Sequence, residues 1–535
     1  QVVADVVFES AGEKVMGALG FVKRIEYFSR ENKEIILAVS TQLVLIPEDM
    51  YNTSEDLSVA VAHRCNEFEI LLDKWGQVSE TEALLCHKAL RIYIRLTQEK
   101  PDDYEEGLAT CYNNLAYSLD NQGKPLEAET LFRKAIDIRR KLAQKGSEAY
   151  AAGLATSCHN LARSLDKHGK LENAESLYRE AIDILRQLAQ KDSKTYAADL
   201  ARNYHALAHL LDNYGKPIEA ETLFRKAIDI RRKLVQKAPE AYAADLARSC
   251  NSLAYLLDAQ IKPIEAETFY REAMDIRRKL VQKAPEAYEK ELATSCFYLA
   301  NTLDKQGKAE KAEILYREAV KTLRQLMQKN SEAYAAYLGT SCYSLAYSLV
   351  DQGKPEEAEM LFREAIDIYR KLAQKNQRDY EAGLATICHD LAYLLDDQGE
   401  PEEAEALYRE VIDIRRKLAQ NDPEVYESGL AVSCNNLACL LRDQADLEAA
   451  EALFRETLSI RRKLAAQSPD IYKANLAWSC FRLAECLNAQ GRIDGAEPLC
   501  RESMEIYREL NDEAYTAKLA KVEKLFQSIT GEKPR

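Results

Sequence analysis

The chain has 535 residues, 30% of them charged, and a formal net charge of −14. So acidic a surface repels a phosphate backbone, which disfavours nucleic acid as a partner, and no apolar run approaches the roughly 18 residues that cross a bilayer. Thirteen Cys in so long a chain, with no basic-then-apolar leader, point to reduced thiols and a cytoplasmic setting rather than a disulfide framework.

Residues 1–53 follow no period. Within them "EKVMGALGFVKRIEYF" (13–28) is apolar at helical spacing, so this region is expected to be an N-terminal helical cap or the tail of an upstream domain. The initial Gln fits a fragment of a longer protein and fits a processed or tag-cleaved chain equally well. From residue 54 the chain repeats. "CNEFEILLDKWG" (65–76) is a degraded first copy, with Phe68 near the anchor place. Nine gap-free copies follow, anchored at Leu115, Leu161, Leu207, Leu253, Leu299, Leu345, Leu391, Leu437 and Leu483, always 46 residues apart.

Each copy spells two helices. In the Leu161 copy, Tyr150, Leu154, Cys158, Leu161 and Leu165 fall within about 80° of arc, one apolar stripe. Gly169 stops that helix, because glycine adopts positive φ at little cost. Lys-Pro at 124–125 and 216–217 opens the second helix, where the missing N–H of proline is not needed. Ala128, Leu131, Phe132, Ala135, Ile138 and Leu142 form its apolar face. Asp422 is expected to cap the following helix and Pro423 to start it. Glu129/Arg133, Glu175/Arg179 and their equivalents down to Glu497/Arg501 sit four apart, a solvated helix-supporting face. After residue 510, "DEAYTAKLAKVEKLF" matches the start of a copy with no second half. The expected organisation is therefore a repeat array over 54–510 (ten copies, the first degenerate), closed by a capping helix and tail at 511–535. The fold class is all-α, an α-solenoid.

The residues Leu115-Ala116, Leu119, Ala128, Phe132 and Ala135, and their counterparts in later copies, resemble the tetratricopeptide repeat signature. The usual 34-residue period is exceeded by 12, which lengthen both helices. This long form is similar to kinesin light chain repeats and to arrays attached to bacterial signalling ATPases or caspase-like proteases. The resemblance implies a right-handed superhelix whose first helices line a concave, peptide-holding groove.

Three columns on the first helix, at −2, +2 and +5 from the anchor, lie about 140–200° from the Leu line and are expected to share the opposite face. They supply the candidate partner-binding residues: Asn113, Tyr117 and Asp120; His159, Arg163 and Asp166; His205, His209 and Asp212; Asn251, Tyr255 and Asp258; Phe297, Asn301 and Asp304; Tyr343 and Tyr347; His389, Tyr393 and Asp396. Tyr and His offer contact area plus a hydrogen bond at low entropic cost. The Asp column favours a basic or amide-rich segment of a protein or peptide.

Cys388-His389-Asp390 invites a catalytic reading, but neighbours on a helix point about 100° apart. A Cys recurs three before the anchor in seven copies, on the Leu stripe, as a small buried apolar group. No phosphate loop, nucleophile elbow or metal-ligand spacing is present, so no catalytic residue, metal or cofactor is expected. The expected function is a non-enzymatic interaction scaffold, the recognition or sensor module of a larger signalling or defence assembly. The alternatives are a freestanding adaptor linking cargo or subunits, or the regulatory subunit of an enzyme complex.

Overall fold

A computed structural model describes residues 40–41, 43–45, 47–48, 52, 54–74, 80–329 and 331–531. The segment 13–28 expected to cap the N-terminus lies outside them. The helices Glu55–Lys74 and Glu80–Glu99 come first, followed by nine hairpins. Their first helices are Pro101–Asn121, Glu148–Lys167, Ser193–Asn213, Pro239–Ala259, Pro285–Lys305, Ser331–Asp351, Gln377–Gln398, Pro423–Asp443 and Pro469–Ala489. The second helices are Pro125–Ala143, Leu171–Lys191, Pro217–Lys237, Pro263–Lys283, Ala309–Lys329, Pro355–Lys375, Pro401–Asn421, Leu447–Gln467 and Ile493–Leu510. A short 3-10 turn, Glu513–Tyr515, leads to the final helix Thr516–Thr530, which buries Val522 and Phe526. The described residues thus form an all-α solenoid. It divides into two compact units, one ending at Ile276 and one beginning at Arg277.

The hairpin turn depends on a left-handed residue. Gly169 has φ +73°, and around it Lys170 N donates to Leu165 O at 2.9 Å and Gly169 N to Asp166 O at 3.0 Å. These bonds satisfy the last carbonyls of the first helix. Ile261 (φ +60°) and Ala445 (φ +66°) hold the same turn where glycine is replaced. Their Cβ atoms crowd the backbone there, at a cost of about 1–2 kcal/mol. Proline opens the second helix at 125, 217 and 355, as expected. The capping role expected of Asp422 is not observed, since its side chain makes no cap bond; Asp192 does cap, accepting from Lys194 N and Thr195 N.

The core repeats with the sequence. A second-helix aromatic (Phe132, Tyr178, Phe224 and Tyr270 in the first unit; Tyr316, Phe362, Tyr408 and Phe454 in the second) is buried, as is the Leu-Ala pair of its own first helix. Full burial of one such side chain contributes about 1.5–3 kcal/mol. The Cys column is buried throughout, and none of the 13 Cys forms a disulfide. Outside this core the i, i+4 pairs extend into ladders between repeats. Arg179 bridges Glu175 (2.8 Å) and Glu219 of the next repeat (2.7 Å), and Arg363 bridges Glu359 (2.8 Å) and Glu403 (2.6 Å). These pairs are exposed or half-exposed, and each contributes about 0–1 kcal/mol.

Candidate functional site

The first helix presents one side to its own second helix, another to the next first helix, and a third to solvent. The three candidate columns do not all fall on the third. Position −2 lies about 160° from the anchor in one sense and position +2 about 160° in the other, so they leave the open face on opposite edges.

The −2 side chains turn into the packing between helices. His159 stacks edge-on against Tyr178 with ring centroids 5.5 Å apart, His205 against Phe224 at 5.3 Å, and His389 against Tyr408 at 5.5 Å. Phe297 and Tyr343 pack likewise on Tyr316 and Phe362. Each imidazole also meets the following repeat: His159 Nδ1 lies 3.0 Å from Asn203 Oδ1, His205 Nδ1 3.1 Å from Ser249 Oγ, and His389 Nδ1 3.3 Å from Ser433 Oγ. Burial lowers their pKa values to about 4, about 3 and about 4, so all three are neutral at pH 7. Asn113 is buried and accepts from Ser157 Oγ at 3.4 Å. The expectation that this column stands open in a groove is corrected: it ties one repeat to the next.

The Asp column is also drawn inward. Asp120 is buried; it accepts from Ser164 Oγ at 2.7 Å and meets His168 Nε2 at 3.0 Å. Burial alone would raise its pKa, but those bonds and Lys167 outweigh it and hold the carboxyl below the usual range. Asp304 accepts from Ser348 Oγ at 3.1 Å. Burial raises the carboxyl pKa of Asp166, Asp212, Asp304 and Asp396. Of the column only Asp396 is exposed; Asp166, Asp212, Asp258 and Asp304 are half-buried.

Position +2 is the open column. Tyr255, Tyr347 and Tyr393 are 57%, 53% and 62% exposed, and Arg163 and His209 are exposed beside them. Arg163 stacks over the Tyr117 ring at 4.6 Å. Asn301 is half-buried, its Oδ1 accepting from Tyr316 OH. Sequence reasoning missed the column that shares this face, position −5, which lies about 140° from the anchor in the same sense as +2. It holds Thr156, Arg202 and Arg248 in the first unit and Thr386 and Val432 in the second, all exposed. The two-turn interval from −5 to +2 on one helix was the available signal.

The same geometry answers the triplet. Cys388 is buried and its thiol is pushed up to about 12 by burial, His389 is stacked on Tyr408, and Asp390 Oδ2 accepts from Tyr343 OH at 2.8 Å. A protonated thiol facing away from its neighbours is no nucleophile.

Tetratricopeptide repeat models match residues 108–147, 154–193, 200–238, 246–284, 292–332, 430–470 and 476–513, and a two-repeat form matches 340–417. The chain belongs to the tetratricopeptide repeat family. No curated protein sequence matches it. Among solved structures this repeat protein is similar to the apo form of RapI (15% identity over 76% of this chain and 99% of that one, TM-score 0.50). It is also similar to BtubC of P. vanneervenii (23%, 46% and 91%, 0.37) and to nearly identical kinesin light chain TPR-like repeats from Podosopora anserina (19%, 43% and 99%, 0.33). At this identity the likeness to RapI shows the fold alone.

A second feature of the repeat protein escaped sequence reasoning. Twenty-four residues after the anchor, the second helix sends a side chain into a slot between its own first helix and the next one. Arg139 fills it, donating to Ser157 Oγ at 2.7 Å, Gly153 O at 3.2 Å and Glu106 Oε1 at 2.7 Å. Arg231 and Arg277 likewise donate to the serines and carbonyls Ser249 and Asp245, and Ser295 and Glu291. Arg415 and Arg461 do the same with Ser433 and Gly429, and Ser479 and Asn475. Every slot arginine faces a serine four before the next anchor. Arg139, Arg231, Arg277 and Arg461 are buried.

Proposed function

We propose that this chain is a non-catalytic scaffold that binds a partner protein or peptide along the open face of its first helices, the face that family resemblance makes the concave groove. The observation that carries the reading is the +2 column. Tyr255, Tyr347 and Tyr393 leave more than half of each ring in solvent, at one equivalent place per repeat, with Arg163 and His209 in the same column. Large rings with a hydroxyl tip, held by rigid helices, are suited to recognition. The candidate set narrows accordingly to Tyr117, Arg163, His209, Tyr255, Asn301, Tyr347 and Tyr393, with Asp396 beside them. The histidine-bearing column and Asp120 act indirectly, by fixing the repeats that present this face. The basic or amide-rich ligand is retained as a proposal for the stretch near Asp396. Placement within a larger cytoplasmic signalling or defence assembly is supported by the repeat architecture alone, as is the adaptor alternative.

The test is capture from a cell extract by the purified chain, compared with a variant carrying His209→Ala, Tyr255→Ala, Tyr347→Ala and Tyr393→Ala. The variant keeps its helicity and loses the captured partner. Unchanged capture at unchanged helicity removes the assignment.

A further inference from the structure

Nine slots of the kind filled by Arg139 can be compared by register. Arg occupies five of them, always opposite a serine. Tyr occupies two, at Tyr93 and Tyr369. There the serine is replaced by Cys111 and Ile387, and glycines 107 and 383 make room for the ring, which any Cβ at those positions would strike. Leu185 stands opposite Asn203, which is engaged with Asp199 O and His159, and the larger Tyr204 stands beside it in place of the usual Cys. The ninth slot breaks the rule: Leu323 faces Ser341, a serine without its arginine.

The consequence is a cavity of about 230 Å³ between the helices Pro285–Lys305, Ala309–Lys329 and Ser331–Asp351. Leu323 forms its floor, the rings of Phe297, Tyr298 and Tyr337 its walls, and Thr294 and Thr340 part of its mouth. Ser341 lines it and is 2% exposed. The mouth opens toward the first-helix face, since Tyr337 is exposed and Thr294 and Thr340 are half-exposed.

Resting on the proposed groove reading and naming a subsite within it, we propose that this cavity is a binding pocket for a tyrosine side chain of the partner. An apolar cavity of about 150 Å³ already accepts a benzene ring, so this one accommodates a phenol. Three aromatic walls permit edge-on or offset stacking, and the Ser341 hydroxyl, which has no slot arginine opposite it, supplies a polar contact for a phenol. The chain gives a precedent one repeat on, where the Tyr369 ring fills the homologous slot and its hydroxyl meets Thr340 Oγ1 at 2.9 Å. Thr294 is the equivalent threonine here; its hydroxyl donates to Lys290 O at 2.9 Å and keeps lone pairs to accept from a phenol. An incoming arginine is disfavoured. The Glu106 that accompanies Arg139 has Lys290 as its counterpart at this junction, with its ammonium 4.6 Å from the Tyr337 ring centre.

The probe is 4-fluorophenol, followed by fluorine NMR on the full chain, with fluorobenzene as the apolar control. Wild type binds 4-fluorophenol saturably. Leu323→Arg, which restores the pairing seen at Arg277–Ser295, folds with unchanged helicity and weakens 4-fluorophenol binding at least tenfold. Ser341→Ala weakens 4-fluorophenol several-fold and leaves fluorobenzene unchanged. Should Leu323→Arg fail to fold, Thr294→Trp plugs the mouth from the surface and has the same effect on the probe. Equal binding to wild type and to a folded plugged variant overturns the pocket, and so does absence of saturable binding to wild type. Either result leaves the wider groove to be decided by the Tyr347 and Tyr393 capture experiment, so the two failures are distinguishable.

Discussion

His205 and His209 sit one turn apart on the same helix, and their surroundings differ completely. His205 stacks on Phe224 and meets Ser249 of the next repeat, whereas His209 is exposed. Tyr343 and Tyr347 repeat the contrast in the second unit: the first packs on Phe362 and donates to Asp390, the second is 53% in solvent. Residue type therefore does not separate a binding residue from a packing residue in this array. About forty degrees of helical arc does, because it decides whether a side chain meets the second helix or water.

The strongest way to break that comparison is to truncate both members. Tyr343→Ala should lower the local stability of the Leu345 repeat by about 3 kcal/mol, through the lost ring packing, the cavity and an unpaired Asp390. Tyr347→Ala should change it by less than about 0.5 kcal/mol. Amide hydrogen exchange in that repeat is the suitable measurement, since stability in a repeat array is local rather than two-state. Similar losses at both positions would abolish the distinction.

Protonation sharpens the same contrast at a smaller scale. His389 is half-buried, and desolvation lowers its pKa to about 4, below its ordinary value of about 6.5. A histidine with a depressed folded pKa contributes stability that is complete above about pH 6.5 and is lost as pH falls from there toward about 4. The Leu391 repeat should lose roughly 2 kcal/mol of exchange protection between about pH 6.5 and 4.5. His389→Phe, the residue already used at Phe297 and Phe481, should flatten that dependence, while His389→Ala should flatten it as well, at the cost of the ring packing on Tyr408. The smallest effect belongs to the turns. Ile261→Gly relieves a left-handed β-branched residue and should stabilise its hairpin by about 1 kcal/mol, seen as slower exchange at Lys262 N.

Much of this protein was legible from its letters. The constant interval between anchor leucines, the four-four-three-four stripe, Pro after Lys and Gly after the first helix dictate two helices per copy, because helical periodicity and backbone sterics are local. Burial of the Cys column followed from the same stripe. Three things were not legible. Ring stacking of His159, His205 and His389 needs the aromatic on the other arm of the hairpin to lie beside each imidazole. The arginine slot joins residues 18 apart across a junction, where Arg231 and Ser249 meet only once two repeats have stacked. The Ser341 pocket exists because the partner arginine is absent at Leu323, and a missing contact has no spacing of its own. Sequence alone thus determined the helices and their apolar faces, through interactions between near neighbours in the chain. Tertiary structure decided which polar residues are open, because that depends on the angle at which one repeat lies against the next.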